Sequence, residues 1–192
     1  MGSDAELLAV MANGEGAAIG ELFDRHRDRV FRHSLRLVGS AADAEEVVAI
    51  VFLILWRKRR HVRLVENSAI PWLLATANNT ARNLNRSRRR YALMLARLPP
   101  AEPVPDHAPA VLDKLAGSDR EHAIRRAFNT LSRRDQEVLS LCVLEELSTA
   151  VTAAALGVPL GTVKSRLSRA KTRLAEVLGA DPTFPTNARS RS

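Results

Sequence analysis

Residues 148–178 read Ser148-Thr-Ala-Val-Thr-Ala-Ala-Ala-Leu-Gly-Val-Pro-Leu-Gly-Thr-Val-Lys-Ser-Arg-Leu-Ser-Arg-Ala-Lys-Thr-Arg-Leu-Ala-Glu-Val-Leu178, and this stretch decides the fold. It divides into two helical segments, Ser148–Leu156 and Thr162–Leu178, around the short turn Gly157–Gly161. In the second segment Val163, Leu167, Ala170 and Leu174 recur at i, i+4, i+7 and i+11, which puts them on one inward face. Thr162, Lys164, Ser165, Arg166, Arg169 and Arg173 fall on the other side. Two short helices joined by a Gly-containing turn, the second of them basic, form a helix-turn-helix. The N-terminal side chains of such a helix reach base edges in the major groove, and flanking Lys or Arg neutralise phosphates. An amphipathic helix with a solvated basic face is the plainer alternative.

Working outward, two further helices are expected before this pair, over Ser118–Leu131 and from Ser132 to about Glu145. Ser132-Arg-Arg-Asp135 has the spacing of a capping box. Upstream of them, five of the nine prolines crowd between Pro99 and Pro109. Proline removes an amide donor and drives its predecessor out of the helical region, so this stretch reads as an extended linker. The segment from Asp181 to Ser192 ends Ala-Arg-Ser-Arg-Ser and has the composition of a disordered tail. No repeat at a solenoid period is visible.

Three helices are legible before the linker. The first spans about Ala17 to Val38, with Ile19, Leu22, Phe23, Val30, Phe31, Leu35 and Val38 near one face, and Gly39-Ser40 ends it. The second spans Asp43 to about Arg60, with Asp43, Glu45 and Glu46 in its first turns and Arg57–Arg60 at its end, both suited to the helix dipole. The third starts near Pro71, a residue favoured in a first turn, and runs to about Leu95, leaving Val62–Ile70 as a loop.

Composition agrees with an all-α chain. Aromatic residues make up 4% of the 192 residues, and the formal net charge is +8, which favours a polyanionic partner. The single cysteine, Cys142, lies in the apolar run Val138–Leu144 and is expected to be a small buried hydrophobe. Met1–Ala12 carries Asp4 and Glu6 and lacks the basic start of a signal peptide. The longest uncharged apolar run, Val47–Trp56, is far too short to span a bilayer, so a cytoplasmic protein is expected. Nothing points to catalysis: the glycines at 157 and 161 flank a proline, and His26 and His33 are seven apart, where a metal-binding pair is usually four apart. No metal, cofactor or catalytic residue is expected.

Two sets of motifs resemble extracytoplasmic-function (ECF) sigma factors of the sigma-70 family. Leu131-Ser-Arg-Arg-Asp-Gln-Glu-Val-Leu139, Glu146-Leu-Ser148, Leu156–Leu167 and Arg169-Ala-Lys-Thr-Arg-Leu174 resemble their region 4. Phe23-Asp-Arg-His-Arg-Asp-Arg-Val-Phe31, Leu35-Arg-Leu-Val-Gly39, Ala42-Asp-Ala-Glu-Glu-Val47, Phe52, Trp56, Pro71-Trp-Leu-Leu-Ala-Thr-Ala-Asn-Asn79 and Ala81-Arg-Asn83 resemble region 2. The resemblance implies two small helical domains, region 2 over 1–97 and region 4 over 118–179, with a linker at 98–117 and a tail at 180–192.

It further implies a subunit that directs RNA polymerase to promoters. Thr162, Lys164, Ser165, Arg166 and Arg169 would read the minus-35 element. Arg63, Asn67, Ser68, Asn79, Arg82, Asn83 and Arg86 would serve the minus-10 element, where an extruded base must be held and its backbone neutralised. Trp72 is expected as a core anchor rather than a stacking platform. Asp43, Glu46, Val47, Ile50, Phe52 and Trp56 would meet the beta-prime clamp of the polymerase core. The implied partners are core polymerase, promoter DNA and a sequestering anti-sigma factor, with no membrane insertion and a nucleoid-associated location.

The chain departs from the family pattern in two places. Ala49 and Ile50 replace a polar pair, and Ile54 stands where a charge is frequent, so Val47–Trp56 is apolar all round and needs cover on every side. Ser148–Ala154 lacks the aromatic and Glu often found in the first helix of the pair. A helix-turn-helix regulator without polymerase binding is the alternative these changes suggest.

Overall fold

The computed structural model describes residues 2–96 and 119–180. The expected linker lies wholly outside the described residues, as does all of the expected tail but Ala180. The described residues form α1 (Asp4–Ala12), α2 (Ala17–Val38), α3 (Ala41–Lys58), α4 (Ile70–Leu95), α5 (Asp119–Asn129), α6 (Arg133–Leu139), α7 (Thr149–Leu156) and α8 (Leu160–Gly179). A 3-10 turn follows α3 at Arg59–His61, and a π-helical turn follows α6 at Ser140–Leu144. Among the described residues there is no strand, only an isolated bridge between Val65 and Ser68. The fold is all-α.

Contacts divide the described chain into two units: residues 2–62 with α4 from Thr76 onward, and residues 63–75 with the helices from Asp119 onward. In the first unit α2 and α3 pack against each other across the turn at Gly39. That glycine sits at φ 78 and donates its N–H to Leu35 O at 2.8 Å, so the left-handed cap ends α2 where a side chain would strain it. Ser40 then caps α3. Leu22, Val30, Val47, Val51 and Leu55 are fully buried between these helices, each stabilising the unit by ~1.5–3 kcal/mol. Phe23 and Phe52 meet edge to face with centroids 4.9 Å apart.

The helix α1 has no counterpart in the expected set. Ser3 and Glu6 form a full capping box at its start, and Leu7, Leu8 and Met11 are buried along its inner side. Both ends are tied down by side chains distant in sequence. Asp4, buried, accepts from Arg25 Nη1 and from His26 Nε2, each at 2.8 Å. At the other end Arg59 Nε donates to Met11 O at 2.9 Å and Arg60 Nε to Ala12 O at 3.2 Å. Two cations on the terminal carbonyls suit the negative end of the helix dipole.

In the second unit, Val138, Ala153 and Val163 form one apolar cluster, with Cys142, Leu156, Val158 and Leu167 against it. Leu131, Leu139 and Ala170 form another, packed by Phe128, Leu167 and Leu174. A third joins Ile70, Leu74 and Ala75 to Leu141, Leu147 and Leu156. Ser148 caps α7, and Gly157 ends it at φ 64. The expected inward face of α8 is therefore the face that packs. Cys142 is half-buried, its sulfur 3.3 Å from the Thr152 hydroxyl.

Candidate nucleic-acid interface

The turn at Gly157 and the N-cap position of Pro159 set where α8 begins, two residues earlier than expected. From there Thr162, Ser165, Arg166 and Arg169 fall at i, i+3, i+4 and i+7, along one side of the helix that flanks the packed face of Val163 and Ala170. Lys164, Ser165 and Arg169 are exposed, while Thr162 and Arg166 are half-buried. The helix α8 thus brings Thr162, Ser165, Arg166 and Arg169 to one side, while Lys164 lies further round the helix. Ser165 donates its hydroxyl to Thr162 O at 3.0 Å.

Arg169 is held by a carboxylate from another helix, Asp135 of α6, on which Arg166 also acts by charge. The Arg169 Nε lies 3.2 Å from Asp135 Oδ2 and its Nη2 lies 2.8 Å from Oδ1. The hydrogen bond to Arg169 holds the Asp135 carboxyl below its ordinary pKa, and the Ser132 hydroxyl, donating at 2.6 Å, acts in the same direction. The Ser132 oxygen also accepts from the Asp135 N–H, so the expected cap is present. The Ser132 hydroxyl donates in turn to the Asp135 carboxylate.

The loop before α4 is a tight reversal. Glu66 and Asn67 adopt φ 53 and 58 between the paired backbones of Val65 and Ser68, as a type I′ turn requires. Ser68 then accepts the N–H of Ile70 at 3.2 Å, which starts α4. Arg63 and Asn67 are exposed and Ser68 is half-buried. On α4, Asn79, Arg82, Asn83 and Arg86 share one helix side at three- and four-residue spacings. Asn79, Asn83 and Arg86 are exposed and Arg82 is half-buried. Trp72 is half-buried, short of the full burial of a core anchor.

The α3 surface differs from the sequence expectation. Asp43, Val47 and Phe52 were grouped with the polymerase-facing residues, but all three are buried. Asp43 is ion-paired with Arg88 of α4, while Val47 and Phe52 fill the core. The outward stripe is Glu46, Ala49, Ile50, Leu53 and Arg57, with Leu53 46% exposed; Ile50 is half-buried and the other three are exposed. Trp56 is half-buried with the Arg59 guanidinium stacked 4.4 Å from its ring centroid. Arg59 and Arg60 are held by α1 carbonyls, while Arg57, Lys58 and Arg63 are exposed.

Comparisons with known proteins agree with this layout. The family model for sigma-70 region 2 matches residues 22–91, and that for sigma-70 region 4 matches residues 121–174. The chain is 33% identical over 177 residues to the ECF RNA polymerase sigma factor SigM of Mycobacterium tuberculosis, covering 92% of this chain and 85% of SigM. It belongs to the ECF RNA polymerase sigma factors. Another relative, SigL of the same species, is 33% identical over 81% of this chain and 86% of its own length. The fold is that of CnrH, solved in complex with the cytosolic domain of CnrY, with a TM-score of 0.61, 24% identity and coverage of 93% of this chain and 98% of that one. It is also that of RpoE from Bartonella quintana, solved with the anti-sigma factor NepR, at a TM-score of 0.55, 23% identity and coverage of 84% and 97%. As an ECF sigma factor, the chain directs RNA polymerase to promoters for the initiation of transcription. No helix among the described residues is long and apolar enough to cross a membrane.

Proposed function

We propose that this sigma factor divides its work between residues 1–97, which bind the polymerase clamp and open the minus-10 element, and residues 118–179, which read the minus-35 element. The observation that supports this most strongly is that both family regions occur in one chain, each carrying exposed polar or cationic residues. In the second region, Thr162, Lys164, Ser165, Arg166 and Arg169 enter the major groove from α8. In the first, Arg63, Asn67 and Ser68 of the turn and Asn79, Arg82, Asn83 and Arg86 of α4 hold the unpaired strand. Unstacking a base costs a few kcal/mol, and cationic backbone contacts with polar base contacts offset it.

The clamp meets Glu46, Ala49, Ile50, Leu53 and Trp56 on α3. Val47, Asp43 and Phe52 shape this face from beneath. The chain carries out no covalent chemistry: core polymerase makes the RNA, in the cytoplasm, and the sigma factor selects the start. An anti-sigma factor is the further partner, a reading supported by the solved complex of RpoE with the anti-sigma factor NepR.

Permanganate footprinting with core polymerase tests the division of labour. Thymines in the minus-10 region should become reactive with the wild-type chain and lose that reactivity with Asn67→Ala plus Arg82→Ala, while minus-35 protection persists. Unchanged reactivity in that variant would remove these residues from the opening step.

A further inference from the structure

We propose that Asp135 is a positioning residue of the promoter interface, presetting the guanidinium of Arg169 so that its free edge reads a guanine in the minus-35 element. The inference rests on the reading of Arg169 as a DNA contact and adds a residue outside the recognition helix. Asp135 lies on α6, 34 positions from its partner. Its side chain is 7% exposed, whereas that of Arg169 is 63% exposed, so the carboxylate forms the floor and the guanidinium faces outward.

The geometry limits what Arg169 can do. Asp135 engages Nε and Nη2, the side edge of the guanidinium. A guanidinium has five N–H donors, and side-on pairing uses two. Of the remaining three, one on Nη1 and one on Nη2 point along the outer edge. That edge offers two parallel donors, the complement of guanine O6 and N7 in the major groove. Two hydrogen bonds to the carboxylate fix both the plane of the group and the direction of this edge.

Charge points the same way. An arginine beside a buried carboxylate adds little net positive charge to the surface, which makes it a poor neutraliser of phosphate. It loses none of its free donors by that pairing, so a base edge is the better match. Asp135 is in turn steadied by the Ser132 hydroxyl at 2.6 Å on Oδ2, while its own N–H is capped by the same residue. Ser132, Asp135 and Arg169 therefore form a relay of position from the start of α6 to the middle of α8.

The test uses the full chain and randomised DNA duplexes. Duplexes enriched by the wild type are recovered, and equilibrium binding is measured to the best one and to each single base-pair change. Wild type, Arg169→Ala and Asp135→Asn are compared. Arg169→Ala should flatten the preference for one G·C pair by about tenfold. Asp135→Asn keeps the side chain's shape but not its charge. It should flatten preference at the same pair by about fivefold or more, leave other positions within about twofold, and add nothing further in the double variant.

If Arg169→Ala removes a preference and Asp135→Asn weakens all duplexes equally or none, Asp135 serves the fold alone and the proposal is wrong. If Arg169→Ala changes no preference, the reading of Arg169 as a base contact fails, and the proposal falls with it. Thermal unfolding confirms that each variant is folded. Should Asp135→Asn fail to fold, Asp135→Glu, which moves the carboxylate by one methylene, gives the same readout: altered preference at that pair supports the proposal, and unaltered preference overturns it.

Discussion

Leu53→Asp should cripple assembly with core polymerase while leaving the chain folded. Leu53 stands in the centre of the outward α3 stripe and is 46% exposed, in a run where the neighbouring outward positions Ala49 and Ile50 are also apolar. Full burial of a leucine side chain is worth ~1.5–3 kcal/mol, so about half, ~1 kcal/mol, remains to be gained when a partner covers it. An aspartate forfeits that gain and adds ~1–3 kcal/mol for a polar group dehydrated without a partner. The sum, ~2–4 kcal/mol, corresponds to a loss of roughly 30-fold to several-hundred-fold in affinity. The assay is competition of labelled wild-type chain for core polymerase, with thermal unfolding as the control. Leu53→Asp competing as well as the wild type would refute a clamp contact through this stripe.

Three further outcomes are expected. Leu55→Ala, at a fully buried position on the opposite side of α3, should destabilise by ~2–5 kcal/mol in denaturant titration, marking the inner and outer faces as different in kind. Arg166→Ala should weaken binding to the selected duplexes and, where Arg166 touches a phosphate, reduce the slope of log K against log salt by about 1, read by anisotropy over a salt series. Lastly, burial lowers the pKa of His26 despite the attraction of Asp4, so the unfolded chain takes up a proton before the folded one does. That contribution to stability is complete above about pH 6.5 and falls as pH drops from there towards the lowered folded value, whereas His26→Gln should flatten this part of a stability-against-pH profile.

Much of the fold was legible because local chemistry marks it. Gly39 and Ser40 end one helix and start the next, Pro71 sits in a first turn, and Gly157 ends the first helix of the helix-turn-helix pair. The spacing of Val163, Leu167, Ala170 and Leu174 specified which side of α8 packs, and hence which side faces outward. The helix α1 left a signal that was available, Ser3 and Glu6 at capping-box spacing, but nine residues of mixed polarity show little periodicity.

The α3 face was harder. A run that is apolar on all sides carries no periodic mark of which side is inward, so Val47 and Phe52 could not be told from Ile50 and Leu53 until α2 was in place. Contacts between residues far apart were equally hidden. Arg59 and Arg60 read as part of a cationic cluster, but each is spent on a carbonyl 48 residues away. Arg169 was legible as an exposed cation of the recognition helix, while its partner Asp135 read only as a member of a helix cap.

The most direct test of the central claim is transcription by purified bacterial core RNA polymerase from a promoter library, with and without this chain. Transcripts that start at a shared pair of minus-35 and minus-10 sequences, and that appear only when the chain is present, are the predicted result. Failure to bind core polymerase, or binding without any promoter-dependent transcript, would contradict it.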